Sequence, residues 1–276
     1  EYQNINNAGT MSLSGFKYVD ENGKSMNISN ALVQFNPSQV NLKQFNATTG
    51  KSDLAITGVL ENFYGFIFKN QELKGNFNLN SNQLAVSDFM TPETNSGAET
   101  KKAEAMKIPA FLNCSLTAKA NTVLYDNLTL KEVSGKLIVK DEKMTMENVK
   151  TSIFGGTIGL NGAVSTKGKT PTFEMNLGLN QVDIAQSFTQ LDMLKKIAPI
   201  AGIINGKLNS TIKLNGNLTD SMSPDLKTLT GDLLGQLLST TLNSTNSTLL
   251  TALGSNLKFI DVSKINLNDL KAAITF

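Results

Sequence analysis

The sequence predicts a mainly β protein with a few helices, built as an extended antiparallel sheet of repeated units and capped by short helices. Three observations lead there. Apolar residues recur at every second position over most of the chain, the period of strands with one face hidden from water. Short clusters of Asn, Gly, Asp and Lys, of hairpin reach, separate these runs. A long stretch of the chain is also written twice, 104 positions apart.

The elements follow in order. Met11 and Leu13 open the first run, and VDENGKS turns the chain. Val40 with Leu42, Leu54 with Ile56, and the run from Leu73 to Leu79 continue the pattern. After them come Leu128 and Leu130, Leu137 and Val139, a turn at KDEKM, then Met144 and Met146, and Ile158 and Leu160. The clearest run is PTFEMNLGLN, in which Phe173, Met175, Leu177 and Leu179 point one way and Thr172, Glu174, Asn176 and Gly178 the other. Leu208, Ile212 and Leu214 form a later strand. Two segments carry helical spacing: VDIAQSFTQLDMLKKIAPI, stopped by Pro199, and STNSTLLTALGSNL with Leu249, Leu250 and Leu253. LKTLTGDLLGQLLSTTL fits helix through its leucines and strand through its threonine-rich ends.

The duplication lays ALVQFNPSQVNLKQFNATTGKSDLAITG over GKLIVKDEKMTMENVKTSIFGGTIGLNG. Val33, Phe35, Val40, Leu42, Phe45, Leu54, Ile56 and Gly58 fall on Leu137, Val139, Met144, Met146, Val149, Ile158, Leu160 and Gly162. Apolar meets apolar throughout, so each copy is a several-strand unit of one modular sheet. Between the copies, TPETNSGAETKKAEAMK has almost no large apolar side chain and reads as a flexible loop. The organisation expected is a first β unit over 1–90, a flexible loop over 91–107, and a second β unit with helical caps over 108–276.

Composition narrows function. The 276 residues carry a net charge of +2 and no histidine, and every basic residue is lysine, which removes imidazole acid/base chemistry, His metal sites and bidentate Arg clamps. Asp183, Asp192, Asp220, Asp225 and Asp232 sit at helix entries and turns, where capping accounts for them. No Asp/Asn/Gly loop has calcium spacing. Gly155, Gly156 and Gly162 suit bulges and close strand approach, because no helix follows them as a phosphate loop requires. No catalytic residue, cofactor or metal is therefore expected. The near-neutral charge gives no basic stripe, so no nucleic-acid partner is expected either. Cys114, the single cysteine, lies among alternating apolar residues and reads as a small buried hydrophobe. No stretch reaches the ~20 apolar residues that span a bilayer. The chain closes within LNDLKAAITF, which reads as the middle of a strand, so an anchoring or targeting segment is expected outside it.

IPAFLNCSLTAKANTVLYDNLTLKEVSGKLIVKDEKMTMENVKTSIFGGTIGLNGAV, then PTFEMNLGLNQVDIAQSF, then a helix and INGKLNSTIKLNGNLTDSMSPDLKTLTGDLLGQL, resembles the C-terminal region of AsmA-family proteins over roughly residues 107 to 276. NLKQFNATTGKSDLAITGVLENF with LKGNFNLNSNQLAVSDFM is similar to the preceding unit of that family. The resemblance implies a Gram-negative envelope protein, anchored in the inner membrane by one N-terminal helix and lying in the periplasm. It also implies a part in outer-membrane assembly, a long curved sheet enclosing an apolar groove, and phospholipid or another acyl-chain lipid as partner. No family catalytic residue exists to carry over.

The alternation supports part of that picture by itself. A sheet with one apolar face must hide it, and few helices are available to do so, so the sheet curls on itself or something else covers it. The candidates for an apolar groove are Leu54, Ile56, Met144, Met146, Ile158, Leu160, Phe173, Met175, Leu177, Leu179, Leu208 and Ile212. Two other readings stand beside it: a non-catalytic scaffold that binds proteins, in which the same residues are sealed core, and a surface adhesin or glycan binder. The absence of Trp and the presence of only four Tyr disfavour the last.

Overall fold

Strand-forming alternation becomes strand over most of the chain. The computed structural model describes residues 8–21, 23–89, 107–190, 204–219, 222–242 and 271–275. The first half holds β1 (Gly9–Val19), β2 (Ser25–Phe35), β3 (Gln39–Thr49), β4 (Ser52–Glu61), helix α1 (Phe63–Lys69) and β5 (Leu73–Ala85). The second holds β6 (Leu112–Tyr125), β7 (Leu128–Lys140), β8 (Lys143–Ile153), β9 (Gly156–Ser165), β10 (Thr172–Asp183), helix α2 (Ile184–Gln190), β11 (Ile204–Asn217), β12 (Thr230–Leu242) and β13 (Lys271–Thr275). Single 3-10 turns occupy Val86–Phe89 and Leu226–Thr228. The thirteen strands hydrogen-bond in sequence order, and β1 does not pair with β13, so the sheet is unclosed.

The duplicated sequence is a duplicated backbone. Adding 104 to the bounds of β3 and β4 gives the bounds of β8 and β9. The turns match as well, since Gly50 and Phe154, 104 apart, both have φ of 52°. Gln44 in β3 lies in a register shift between Leu42 and Phe45, and its counterpart Asn148 has φ of 51°.

One pairing departs from the antiparallel meander expected. β5 and β6 run parallel, with Leu73 opposite Leu112 and Ala85 opposite Leu124. The repeat explains this. Each copy runs through five strands, so it starts and finishes at opposite ends of the sheet, and a second copy in the same orientation must begin alongside the last strand of the first. A parallel pair needs a crossover of about a dozen residues or more, and Val86–Phe111 supplies it. The loop expected over 91–107 lies outside the described residues apart from Lys107. After the second copy the chain reverts, because Leu218 N–H donates to Pro171 O and Gln181 N–H to Asn209 Oδ1, an antiparallel relation of β10 and β11.

Two further expectations resolve. LKTLTGDLLGQLLSTTL forms the 3-10 turn and then β12, because β12 finds ladder partners in β11 and β13 and strand wins over its helical leucine spacing. Of VDIAQSFTQLDMLKKIAPI, Val182 and Asp183 finish β10 and Ile184–Gln190 is α2, whereas 191–200 and the helix expected in STNSTLLTALGSNL lie outside the described residues. The segment FYGFIFK forms α1, which the sequence reading did not anticipate.

The chain divides into two compact units. The first comprises Glu1–Thr151, Leu160–Met175 and Asn215–Leu229; the second comprises Ser152–Gly159, Asn176–Leu214 and Thr230–Phe276. The second unit buries Phe154, Leu179, Val182, Ile184, Ile212 and Leu214. In the first unit small residues are prominent among the buried ones, including Ala31, Ala47, Ala85, Ala120, Ser52 and Ser81.

Asp53 ties β4 to β5 in the first unit. Its carboxylate accepts from the backbone N–H of Gln83 at 2.7 Å and of Asn82 at 2.9 Å. Burial pushes this carboxyl up, but those two N–H groups, with its own and the Ser81 hydroxyl, outweigh burial and hold it below the ordinary carboxylate value. A depressed folded value means stability present above the unfolded pKa and lost as pH falls through the folded one. Asp53→Asn should therefore lower stability by ~1 kcal/mol near neutrality and flatten its acid dependence. Urea denaturation of both proteins at neutral and acid pH reads this, and parallel acid profiles would contradict it.

Candidate functional site

Directly opposed residues in a sheet share a face, so the strand registers draw rows across the first unit. Val33, Leu42, Gly58, Phe77, Leu116 and Leu137 form one row from β2 to β7. Ala31, Phe45, Ile56, Leu79, Ala118 and Gly135 form the next. Both rows are apolar. The bulges keep them so: register shifts between Ile28 and Asn30 and between Leu42 and Phe45 insert one residue each, and the apolar spacing widens from two to three at the same points.

The opposite face is polar and largely satisfies itself. Thr57, Asn78, Thr117 and Lys136 make one of its rows. Side chains bond across strands, with Asn46 Nδ2 donating to Asn30 Oδ1 at 2.8 Å, Ser115 Oγ to Asn76 Oδ1 at 2.6 Å, and Asn121 Nδ2 to Asn82 Oδ1 at 3.0 Å. Asn-rich composition thus has a structural use on one side of the sheet.

On the apolar side, Leu42, Phe45, Ile56, Phe77, Leu116, Leu137 and Val139 are half-buried and line an open, shallow cavity of about 400 Å³. Its residues come from five consecutive strands, β3 to β7, so the sheet is concave there. Phe77 lies over the two glycines beside it: its ring atoms are the neighbours that a side chain at Gly58 or Gly75 would strike. The glycines let a large ring lie on the sheet and form the cavity floor. Cys114 lines the same cavity, its Sγ donating to Leu73 O at 3.5 Å, and burial pushes its thiol pKa up against a smaller opposing effect of the Asn113 backbone.

Three of the twelve candidate groove residues line the hollows of the described residues. Ile56 lines this cavity. Leu54 is buried and lies on a second hollow of about 480 Å³ with Phe16, Ile28 and Ala47. Phe173 is buried beside a hollow of about 390 Å³ with a mixed polar and apolar lining, which includes Lys143 and Glu174, paired at 3.0 Å. Leu179 and Ile212 are buried, whereas Met144, Met146, Ile158, Leu160, Met175, Leu177 and Leu208 are half-buried and line none of these three hollows. The residues that do surround the apolar cavity with Ile56, namely Leu42, Phe45, Phe77, Leu116, Leu137 and Val139, belong to the alternating runs. Cross-strand register, which alternation alone does not supply, is what gathers them.

No three His, Cys, Asp or Glu side chains come together to hold a metal ion among the described residues, and no described helix is long and apolar enough to cross a membrane. Compared with family models, with curated proteins and with solved structures, the chain finds no significant match.

The floor of the cavity is testable through its glycines. A Cβ at Gly58 would meet Asn76 O at 2.6 Å and Phe77 Cα at 3.0 Å, both backbone, so Gly58→Val must push β5 away. It should cost about 1–3 kcal/mol. At Gly178 nothing lies within 4 Å of an added Cβ, so Gly178→Ala should be neutral or slightly stabilising. Chemical denaturation of the pair checks both, and equal stabilities would refute the assigned packing.

Proposed function

We propose that this chain is a lipid-handling β-groove module of the AsmA-like kind, which holds an acyl chain against the apolar face of its sheet. In this reading it serves outer-membrane assembly from the periplasm, as part of a protein anchored in the inner membrane. The single observation that carries the reading is the apolar cavity of about 400 Å³ on the concave face of β3 to β7, floored by Phe77 and walled by half-buried aliphatic side chains.

The chemistry fits such a ligand. A hollow of this size lies in the range of about 300–1,000 Å³ usual for small-molecule pockets. Its walls offer dispersion and dehydration rather than charge, and each methylene moved from water onto such a wall contributes roughly 0.8 kcal/mol. An acyl chain therefore needs no catalytic residue and no fixed polar contact. Selection by length and saturation follows from the walls, while the headgroup stays in water.

The scaffold alternative is favoured at particular residues. Leu54, Phe173, Leu179 and Ile212 are buried, as sealed core requires. A charge there should unfold the protein, whereas a charge at half-buried Ile56 should spare the fold.

Lipid extraction and native mass spectrometry of the purified protein should find bound phospholipid or fatty acid. Ile56→Asp should lower that content severalfold with an unchanged circular dichroism spectrum, and Ile212→Asp should lose the spectrum. The single thiol gives a second readout: maleimide should label Cys114 severalfold faster after delipidation. A protein that never carries lipid, with Cys114 labelled at one rate throughout, would overturn the groove reading in favour of the scaffold.

A further inference from the structure

The edge of the sheet at β1 has a counterpart inside the molecule, and there the edge is filled. Register fixes the correspondence: Met11 lies opposite Val33 as Leu116 lies opposite Leu137, and Leu13 lies opposite Ala31 as Ala118 lies opposite Gly135. Val33 and Leu137 are 104 positions apart, as are Ala31 and Gly135, so β2 matches β7 and β1 matches β6. The small polar residues match as well, Thr10 and Ser12 standing where Ser115 and Thr117 stand. What differs is the far side. β6 receives β5 there in parallel, whereas β1 pairs with β2 alone among the described residues. Nine of the eleven residues of β1 are exposed, with Met11 at 56% and Tyr18 at 55%, while their counterparts Leu116 and Val123 are half-buried and buried.

An edge strand left open invites another strand unless proline, charge or a bulge keeps it away. β1 has no proline, and both its one charge, Lys17, and its left-handed Gly15, with φ of 63°, lie beyond Ser14. Gly9–Ser14 is therefore unguarded. The pairing of β5 with β6 shows what such an edge accepts. It sets Phe77 against Leu116 and Leu79 against Ala118 on the apolar face, and Asn76 against Ser115 on the other, where Ser115 Oγ donates to Asn76 Oδ1 at 2.6 Å. Carried to β1, the same strand would set Phe77 against Met11, Leu79 against Leu13, and Asn76 against Thr10, whose hydroxyl can donate as that of Ser115 does. Main-chain hydrogen bonds hold an added strand and alternate side chains select it.

We infer that the outer edge of β1 is a docking site for one parallel strand of the β5 pattern, the closing strand of another five-strand unit of this repeat. The ladder then carries the apolar rows through Met11 and Leu13 into a neighbouring unit, whatever the β3–β7 cavity holds. A peptide of the β5 sequence, Leu73–Ala85, probes the edge. Labelled at its N-terminus, it should bind the full chain by fluorescence anisotropy, and a scrambled peptide should not. Met11→Lys, which places a charge on the edge, should weaken binding at least about tenfold with an unchanged circular dichroism spectrum. Direction is read by cross-linking in a Cys114→Ser background. A peptide with Phe77→Cys should join Met11→Cys and not Tyr18→Cys, and one with Leu84→Cys should join Tyr18→Cys and not Met11→Cys, because Leu84 lies opposite Val123 in the precedent. The reversed pattern, equal joining of both positions, or no binding of the peptide would overturn the proposal. So would a dimer in sedimentation velocity that Met11→Lys abolishes while the peptide stays free, which would assign the edge to β1 of a second copy.

Discussion

A sheet strand gives half its side chains to each face, and in this chain the two halves are chemically unlike. That constraint governs the rest. The backbone ladder satisfies the polar groups of every interior strand whatever lies above or below it, and the polar face adds its own Asn and Ser bonds across β2–β3 and β5–β6. The apolar face has no comparable means of satisfying itself. In the first unit neither α1 nor the 3-10 turn Val86–Phe89 contains a buried residue of its own. Exposed apolar area is unfavourable by roughly 25 cal/mol per Å², so the rows through Leu42 and Phe45 carry a standing drive to be covered. Concavity answers part of it by turning neighbouring rows toward one another, and Phe77 answers more by lying over Gly58 and Gly75.

Repetition constrains the fold as strongly as alternation does. A translated copy keeps strand direction, so β2 and β7 must run the same way. Four antiparallel steps carry the chain from β1 to β5, and only a parallel step to β6 restores the direction of the first copy. The parallel pair is thus a consequence of an odd strand count. The repeat at 104 positions implies it, because each copy holds an odd number of strands.

Alternation read from residues alone marked most of the strands but gave no separate run for β2 or β6 and left β12 between helix and strand, and the duplicated segment gave β3, β4, β8 and β9 as matching pairs. Helix α1 escaped because Phe, Tyr and Ile are strand formers and Gly65 weakens helix; the left-handed asparagines at its two ends are visible only in the backbone. The candidate site was legible in kind and not in place. Alternation tells which face a side chain takes, but not how deep it lies, so half-buried Ile56 and buried Leu54 looked alike. The widened spacing from Leu42 to Phe45 did carry a usable sign, since an i, i+3 apolar step inside a strand marks a bulge that holds both residues on one face.

The two copies also show how one backbone serves different packing. Gly50 and Phe154 occupy the same turn with the same φ of 52°. At Gly50 the turn is held from outside, Asp88 Oδ2 accepting from Lys51 N–H at 2.8 Å and Ser52 Oγ–H at 2.7 Å. At Phe154 the turn carries a buried ring, and its carbonyl accepts from Asp183 N–H at 2.8 Å, just ahead of α2. A left-handed phenylalanine is strained relative to glycine by about 1–2 kcal/mol, which burial of the ring more than offsets at about 1.5–3 kcal/mol or above. The second turn is therefore filled with core where the first is left small. Identical strand geometry does not imply an identical use of the apolar face, and the place to seek a ligand is where the rows stay half-buried, across β3 to β7, rather than wherever the alternation runs.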